Sequence, residues 1–214
     1  ALYFSMPQPQ KTNSEIEIKL PVTDPHTTIR AIKALGATSH GRTFESNTLY
    51  DTPHSDLRNS GRLLRVRTES AAPGLTRTHS TRVHRVVLTS KAPSRQHSAS
   101  RKNRRYKERA EREVVASDRP HNWPAELARL GFEPAFRYEK YRTSFRLRGL
   151  HLDLDETPVG IFLELEGRPA AIERVARALG YTPAMYIRGT YWDVYAADCR
   201  RHNRKPGNMV FPKK

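Results

Sequence analysis

The sequence predicts an α+β fold in which eight antiparallel strands close into a β-barrel, with helices packed outside it. Charged and apolar residues alternate along almost every strand segment, and helical segments with clear start signals lie between them. Eight strands suit a small closed barrel. If the charged faces point inward, the interior becomes a polar tunnel with an acidic zone and a basic zone.

The first strand shows this alternation most clearly. In residues 15–20, Glu15, Glu17 and Lys19 share one face, because strand side chains alternate with a period of two, and apolar residues share the other. Further strands are predicted at 42–50, 62–69, 82–91, 105–116, 134–148, 150–156 and 160–167. A single such strand could simply face solvent. The repetition, with acids gathered in some strands and bases in others, favours an enclosed charged interior.

Four helices are predicted between or after the strands. Asp24 is a typical N-cap with Pro25 at the first helical position, and the apolar stripe that follows ends before Gly36. The other three helices are expected at about 124–130, 168–179 and 183–199. The aromatic residues of the last helix are interpreted as packing residues rather than as a stacking surface for substrate.

Several ordered segments resemble those of one protein family. They are EIEIK (15–19), LYDTP (49–53) leading to LLRVR (63–67), LTSK (88–91), RAERE (109–113), and LDLD (152–155) leading to FLELEG (162–167). In this order they are similar to the CYTH superfamily, the triphosphate tunnel metalloenzymes, to which class IV adenylyl cyclases and thiamine triphosphatase belong. The resemblance covers roughly residues 15–195.

The resemblance implies a site for Mg²⁺ or Mn²⁺ made of carboxylates, and these ions prefer hard oxygen ligands. The first and eighth strands would supply Glu15, Glu17, Glu164 and Glu166. The acidic side would be completed by Asp155, Glu111 and Glu113, with Asp153 as a weaker candidate. Pairing in salt bridges is the alternative role for each of these acids.

The basic residues of the same faces are candidates for binding a triphosphate, because several fixed Lys and Arg donors are what such a polyanion requires. They are Lys19, Arg65, Arg67, Lys91, Arg109, Lys140 and Arg142. Lys19, Arg65 and Lys91 are the expected catalytic residues. Their alternative role is to neutralise the carboxylates of the tunnel.

The function expected from the resemblance is metal-dependent hydrolysis of inorganic tripolyphosphate or of a nucleoside or thiamine triphosphate. The first alternative is a class IV adenylyl cyclase that converts ATP to cyclic AMP and pyrophosphate, and the second is a noncatalytic polyphosphate-binding module. The sequence has no Walker-type phosphate loop and no Gly-x-Ser-x-Gly elbow, which favours a mechanism without a covalent intermediate. Positioning and electrostatics dominate phosphoryl transfer in general.

The charge distribution argues against nucleic-acid binding as the main function. The formal net charge is +16, but residues 95–109 hold seven Lys or Arg against one acid and residues 200–214 hold six against none, so the remainder is nearly balanced. Nonspecific contact with polyanions through these two basic stretches is expected at most.

The chain is expected to form one tunnel domain over residues 15–199. A flexible N-terminus (1–14), whose first residues are interpreted as a tag scar, precedes this domain, and a basic C-terminal segment (200–214) follows it. A single cysteine excludes an intramolecular disulfide, and no apolar run approaches the length of a membrane span. We therefore expect a cytoplasmic monomer or homodimer without membrane contact.

Overall fold

The computed structural model describes residues 13–72, 74, 80, 82–93, 107–116 and 122–212 of the chain, with only the backbone described for residues 13–15, 84, 107–109 and 114–116. The strands in these ranges are β1 (Asn13–Val22), β2 (Thr38–Asp51), β3 (Leu63–Ala71), β4 (Val83–Pro93), β5 (Lys107–Ala116), β6 (Glu133–Leu147), β7 (Leu150–Thr157) and β8 (Gly160–Glu166). Every predicted strand is confirmed as an element. The largest shift is at β2, which begins at Thr38 rather than at residue 42.

The helices in the described ranges are α1 (Pro25–Ala34), α2 (Asp56–Asn59), α3 (Trp123–Arg129), α4 (Pro169–Ala178) and α5 (Tyr191–Arg201). The start of α1 is as predicted, because the Asp24 carboxylate accepts a hydrogen bond from the backbone N–H of His26 at 2.9 Å. No helix in the described residues is long and apolar enough to cross a membrane.

The predicted helix over 183–199 is wrong in its first half. Pro183–Met185 form a 3-10 turn, and α5 begins only at Tyr191. Thr190 caps α5 in a capping box with Asp193, which fixes the helix start at that point. The intervening residues bond to β1 instead, because Ile187 and Lys19 exchange backbone hydrogen bonds of 3.0 and 2.9 Å.

The strands are ordered β1-β5-β4-β3-β2-β6-β7-β8, and all neighbours are antiparallel. β1 pairs with β5 on one side and with β8, the last strand of the order, on the other. The two pairings use different parts of β1, because β5 pairs with Asn13–Glu17 and β8 with Glu17–Val22. The predicted eight-stranded antiparallel architecture is therefore confirmed. The strand order returns from β8 to β1, but β5 and β8 flank different halves of β1, so the sheet forms the strongly curled wall of an incompletely closed barrel.

The C-terminal segment covers one free edge of this wall. β7 pairs with β6 only over Tyr141–Leu147. Further along β6, the backbone of Met209 bonds to Arg137 and Glu139, both at 2.9 Å, and the Met209 side chain is buried. This part of the expected basic appendage thus packs on the sheet.

The main apolar core lies on the outer face of the curled sheet, beneath α1 and α4. Its strand residues come from β1, β6, β7 and β8, and Ile32 of α1 and Ile172 of α4 cover them. Because strand side chains alternate between faces, burial of this apolar set outward directs the charged set inward.

Candidate active site inside the barrel

A cavity of about 380 Å³, here called the charged cavity, lies on the inner face of the sheet. Strands β1, β3, β4, β5, β6, β7 and β8 and the start of α5 contribute to its lining. The sequence-predicted site residues that line it are Glu17, Lys19, Arg65, Arg67, Lys91, Glu111, Glu113, Lys140, Arg142, Glu164 and Glu166, together with the weaker candidate Asp153. The inward orientation predicted from strand alternation is correct for all of these residues.

On the acidic side, the strand register places carboxylates opposite one another. Glu17 of β1 lies directly opposite Glu166 of β8, and Lys19 lies opposite Glu164. The Lys19 ammonium is 3.0 Å from Glu164 and 3.4 Å from Glu17. Burial acts to lower the pKa of Lys19, but the carboxylates of Glu164 and Glu17 outweigh it and hold the pKa above its ordinary value.

Arg142 of β6 joins three carboxylates of β7 and β8. Its Nε and Nη2 atoms donate to the two oxygens of Asp155, each at 2.7 Å, and its Nη1 lies 2.9 Å from Asp153. It also donates to Glu164. Burial raises the pKa of Glu164, but the charges of Lys19 and the neighbouring cations hold it well below its usual range.

Among the predicted metal ligands whose side chains the structure describes, Asp155 differs from the others because it does not line the charged cavity. It is fully buried, and besides Arg142 it accepts hydrogen bonds from Lys140 Nζ at 2.9 Å and from the Tyr191 hydroxyl at 2.6 Å. Burial raises its pKa despite these cations. In this structure Asp155 lies behind the residues that line the charged cavity and holds two of its cations and a tyrosine in place.

The basic side is centred on Arg65 of β3. Its Nη2 donates to Thr89 at 3.0 Å and lies 3.7 Å from Glu113, while Lys91 of β4 lies 3.0 Å from Glu111. The Nε of Arg65 is buried and has no hydrogen-bond partner among the described residues. Arg65 borders the charged cavity, while this one nitrogen of its guanidinium is shielded from it.

Sequence reasoning missed Glu45 of β2, which is among the most deeply buried charges of the site. It lies 3.3 Å from Arg67 and 3.4 Å from Lys140. Burial alone would raise its pKa, but Arg67 and Lys140 hold it well below its usual range. Its face of β2 also carries Asn47, which accepts a hydrogen bond from Arg67 at 2.9 Å. The available signal was this shared parity, but the opposite face of β2 mixes the aromatic Phe44 and Tyr50 with Ser46 and Thr48, so the strand shows no clear apolar face.

Tyr191 of α5 was also missed as a site residue. The sequence favours packing roles for the aromatic residues of this helix, and Tyr191 does pack with Phe136 and Met209. Its ring also lies 5.3 Å from the Lys19 ammonium and 5.0 Å from that of Lys140, and it lines the charged cavity. The helix start thus contributes to the site as well as to the core.

Two predicted site residues, Glu15 and Arg109, have side chains outside the described part of the chain. Their backbones are paired across β1 and β5. Among the described residues, no group of three or more His, Cys, Asp or Glu is arranged to hold a metal ion. The facing pair Glu17 and Glu166 nevertheless fits Mg²⁺, which is usually bound through one or two carboxylates plus phosphate oxygens and water.

An antiparallel eight-stranded sheet curled around paired acids and bases defines the tunnel class of fold, in which the interior carries the charged site. The model of the CYTH domain family matches residues 13–184, and the chain belongs to this family. Members of the family are in general divalent-metal-dependent enzymes that act on triphosphates. The resemblance of the sequence segments is thereby confirmed.

Solved structures with this fold include three from different sources. The PH1819 protein from Pyrococcus horikoshii OT3 has 21% identity and a TM-score of 0.65, covering 89% of this chain and 99% of that chain. A candidate adenylate cyclase from Vibrio parahaemolyticus has 19% identity and a TM-score of 0.63, covering 86% and 98%.

The third is HpAC1 from Hippeastrum, described as a candidate adenylyl cyclase with a dominant triphosphatase activity. It has 18% identity and a TM-score of 0.53, covering 90% of this chain and 97% of that one. At these identities the likeness shows the shared fold. No curated protein matches the chain in sequence.

Proposed function

We propose that this protein is a divalent-metal-dependent hydrolase of a triphosphate, which it binds in the charged cavity. The observation that carries the proposal is the convergence of Lys and Arg side chains from β1, β3, β4 and β6 on one space of about 380 Å³. Cavities of about 300–1,000 Å³ are typical for small-molecule ligands. Cations fixed on rigid strands are suited to an extended phosphate chain.

The charge balance of the cavity supports metal dependence. Eight Lys or Arg and six Asp or Glu are among its described lining residues, and the buried Glu45 and Asp155 stand behind them. The site as a whole is therefore close to neutral, so these cations alone do not neutralise a bound triphosphate. Divalent ions that enter with the substrate would supply the missing positive charge.

We assign the metal to the facing carboxylates Glu17 and Glu166, with Glu164 and Glu15 beside them and Glu111 and Glu113 as the second acidic pair. We no longer assign Asp155 as a metal ligand, because its oxygens already accept hydrogen bonds from three side chains. Its proposed role is to position Lys140 and Arg142. When bound, the metal neutralises phosphate oxygens and lowers the pKa of a bound water.

The cations of the wall hold the phosphate chain and stabilise charge as it shifts during phosphoryl transfer. Arg65, Lys91 and Lys19 are the proposed catalytic donors, since fixed donors aimed at developing charge are a large source of rate enhancement. The remaining donors position the chain, and they are Arg67, Arg109, Lys140 and Arg142. Each described donor has a carboxylate neighbour that keeps it in place before substrate enters.

Cyclisation of ATP is the second candidate, because the same cavity would bind the phosphates while the ribose 3′-hydroxyl replaces water as the nucleophile. The description of HpAC1 joins both reactions in one protein of this fold. The deciding experiment incubates the protein with tripolyphosphate, ATP and thiamine triphosphate, with Mg²⁺, with Mn²⁺ or with a chelator. Phosphate and cyclic AMP are quantified separately.

We expect phosphate release that requires the metal. Cyclic AMP and pyrophosphate as the main products would establish the cyclase instead. Tight binding of all three compounds without turnover would establish a noncatalytic module.

The metal assignment is tested by Glu17→Gln, which removes a ligand charge with little change of shape. We expect turnover to fall by at least about 100-fold, which is more than is usual for residues that only orient the metal ligands. Turnover should recover partly at higher metal concentration. Glu126→Gln, at an exposed position of α3, is the matched control and should keep full activity. Full activity of Glu17→Gln would contradict the assignment.

A further inference from the structure

A second cavity of about 260 Å³ adjoins the charged cavity at the end of the barrel where β2 ends and β3 and β6 begin. Leu63 and Thr190 line both cavities. We propose that this second cavity, here called the rim pocket, binds the neutral aromatic base of a nucleoside triphosphate. The inference rests on the proposed function, because it places the phosphates of the same ligand in the charged cavity.

The lining of the rim pocket is chemically unlike that of the charged cavity. Its side chains are mainly apolar or aromatic, and those that form its walls include Leu49, Leu57, Leu64, Phe136 and Trp192. Trp192 is partly exposed and packs edge-on against Phe136, with ring centroids 4.9 Å apart. These apolar walls offer a phosphate no hydrogen-bond donors, whereas a planar ring buries its faces against them.

An arginine is positioned beside the indole of this pocket. The Arg58 guanidinium lies over the Trp192 ring, 4.9 Å from its centroid. Arg58 is held there by α2, whose start is fixed by the buried Asp51 carboxylate, which accepts from the backbone N–H groups of Leu57 and Arg58 at 2.9 and 3.0 Å. Indole and guanidinium planes are among the side-chain surfaces on which bases commonly stack.

The charge of the rim pocket favours a neutral ring over a cationic one. Its basic side chains are Arg58 and Arg62, and both are exposed. Its two acids accept hydrogen bonds from neutral groups, because Asp51 caps α2 and Asp193 accepts from Thr190 at 2.7 Å, so the lining as a whole carries no net charge. The Arg58 guanidinium already lies over the Trp192 ring, so a cationic heterocycle such as that of thiamine would meet a like charge at this stacking surface. Inorganic tripolyphosphate would leave the pocket unused.

The two cavities are linked closely enough for one ligand to span them. In α5, Tyr191 lines the charged cavity and the next residue, Trp192, lines the rim pocket. In β3, Leu63 is shared and Arg65, two residues on, belongs to the charged cavity. A ribose crossing at Leu63 and Thr190 would join a base on one side to phosphates on the other.

The first test uses fluorescence and does not depend on turnover. The chain has two tryptophans, so Trp123→Phe leaves Trp192 as its single indole. This variant is titrated with ATP, thiamine triphosphate and tripolyphosphate in the presence of Mg²⁺. We expect a saturable change in Trp192 emission with ATP and a change at least fivefold smaller with tripolyphosphate. Equal changes with ATP and tripolyphosphate would overturn the inference, as would tighter binding of thiamine triphosphate than of ATP.

The second test compares substrates in pocket variants. Trp192→Ala should raise KM for ATP roughly tenfold, from the loss of base stacking, and should change KM for tripolyphosphate less than twofold. Ala135→Phe, at an exposed position of the pocket lining, should act in the same direction by filling the space, and it serves if Trp192→Ala does not fold. The control is Leu130→Ala, at an exposed position on the turn after α3 and outside the pocket lining, which should leave KM unchanged for both substrates.

The outcomes separate the two proposals. If KM rises equally for ATP and tripolyphosphate in both pocket variants, the rim pocket does not bind the base, and the proposed hydrolysis still stands. Absence of turnover for every triphosphate would overturn the proposed function, and the fluorescence titration would still decide whether the pocket binds a base.

Discussion

The two faces of β7 and β8 show how one pair of strands serves two different purposes. Outward, Leu152, Leu154, Leu163 and Leu165 are fully buried beneath helices. Inward, the residues between them are acids that are paired with Lys and Arg. Burial of the leucines is favourable at about 25 cal/mol per Å², whereas burial of charges costs free energy even when they are paired. The outer face therefore stabilises the fold, and the inner face is organised for binding.

The largest effect is expected on the outer face. Leu154→Ala should lower the free energy of unfolding by about 2–5 kcal/mol, because it leaves a cavity in the core. The molecules of this variant that remain folded should turn over triphosphate at the normal rate. Urea unfolding and turnover at low temperature would measure both quantities. If Leu154→Ala reduces turnover per folded molecule as strongly as it reduces stability, the two faces are not separable.

An intermediate effect is expected on the inner face. Arg65→Ala should weaken tripolyphosphate binding by about 1.5–3 kcal/mol, as is usual for hydrogen bonds to charged groups, and Lys91→Ala should act in the same direction. Binding of a monophosphate should change much less. Calorimetric titration measures this difference, with Arg129→Ala on the exposed surface of α3 as the control. Unchanged affinity in both variants would remove Arg65 and Lys91 from the substrate site.

The smallest effect is expected in the pH dependence of stability. The pKa of Glu164 is held well below its ordinary value of 4.5, so the unfolded chain takes up this proton at a higher pH than the folded protein does. The stabilisation by Glu164 is present above that ordinary value and is lost as the pH falls through the folded pKa. Asp155 has a raised pKa and acts in the opposite direction.

Comparison of the wild type with Glu164→Gln isolates this contribution. Between about pH 6 and about pH 3, the wild type should lose more unfolding free energy than Glu164→Gln does. Glu133→Gln, which is exposed at the start of β6, should follow the wild type. Identical pH profiles for Glu164→Gln and the wild type would show that the ion pairs of Glu164 do not contribute to folding.

Local sequence patterns determined which residues form strands and which face of each strand is charged. Alternation in β1, β7 and β8 predicted that Glu17, Lys19 and Glu164 point the same way, and the structure brings all three to one cavity. The start of α1 after its N-cap Asp24 followed from capping chemistry alone. These features depend only on residues close together in the chain, so their signals are present in short stretches of sequence.

Strand order and register decided which acid meets which base. Lys140 is paired with Glu45 and Asp155, which lie far from it in sequence, and no local pattern in β2 marked Glu45 as its partner. Met209 likewise acquired its place because the C-terminal segment bonds to a part of β6 that β7 leaves free, and Tyr191 because it packs in the apolar cluster with Phe136 and Met209. Such contacts arise from pairing between distant segments. Periodicity along the chain indicates the direction in which a side chain points, and only the assembled sheet determines what it meets there.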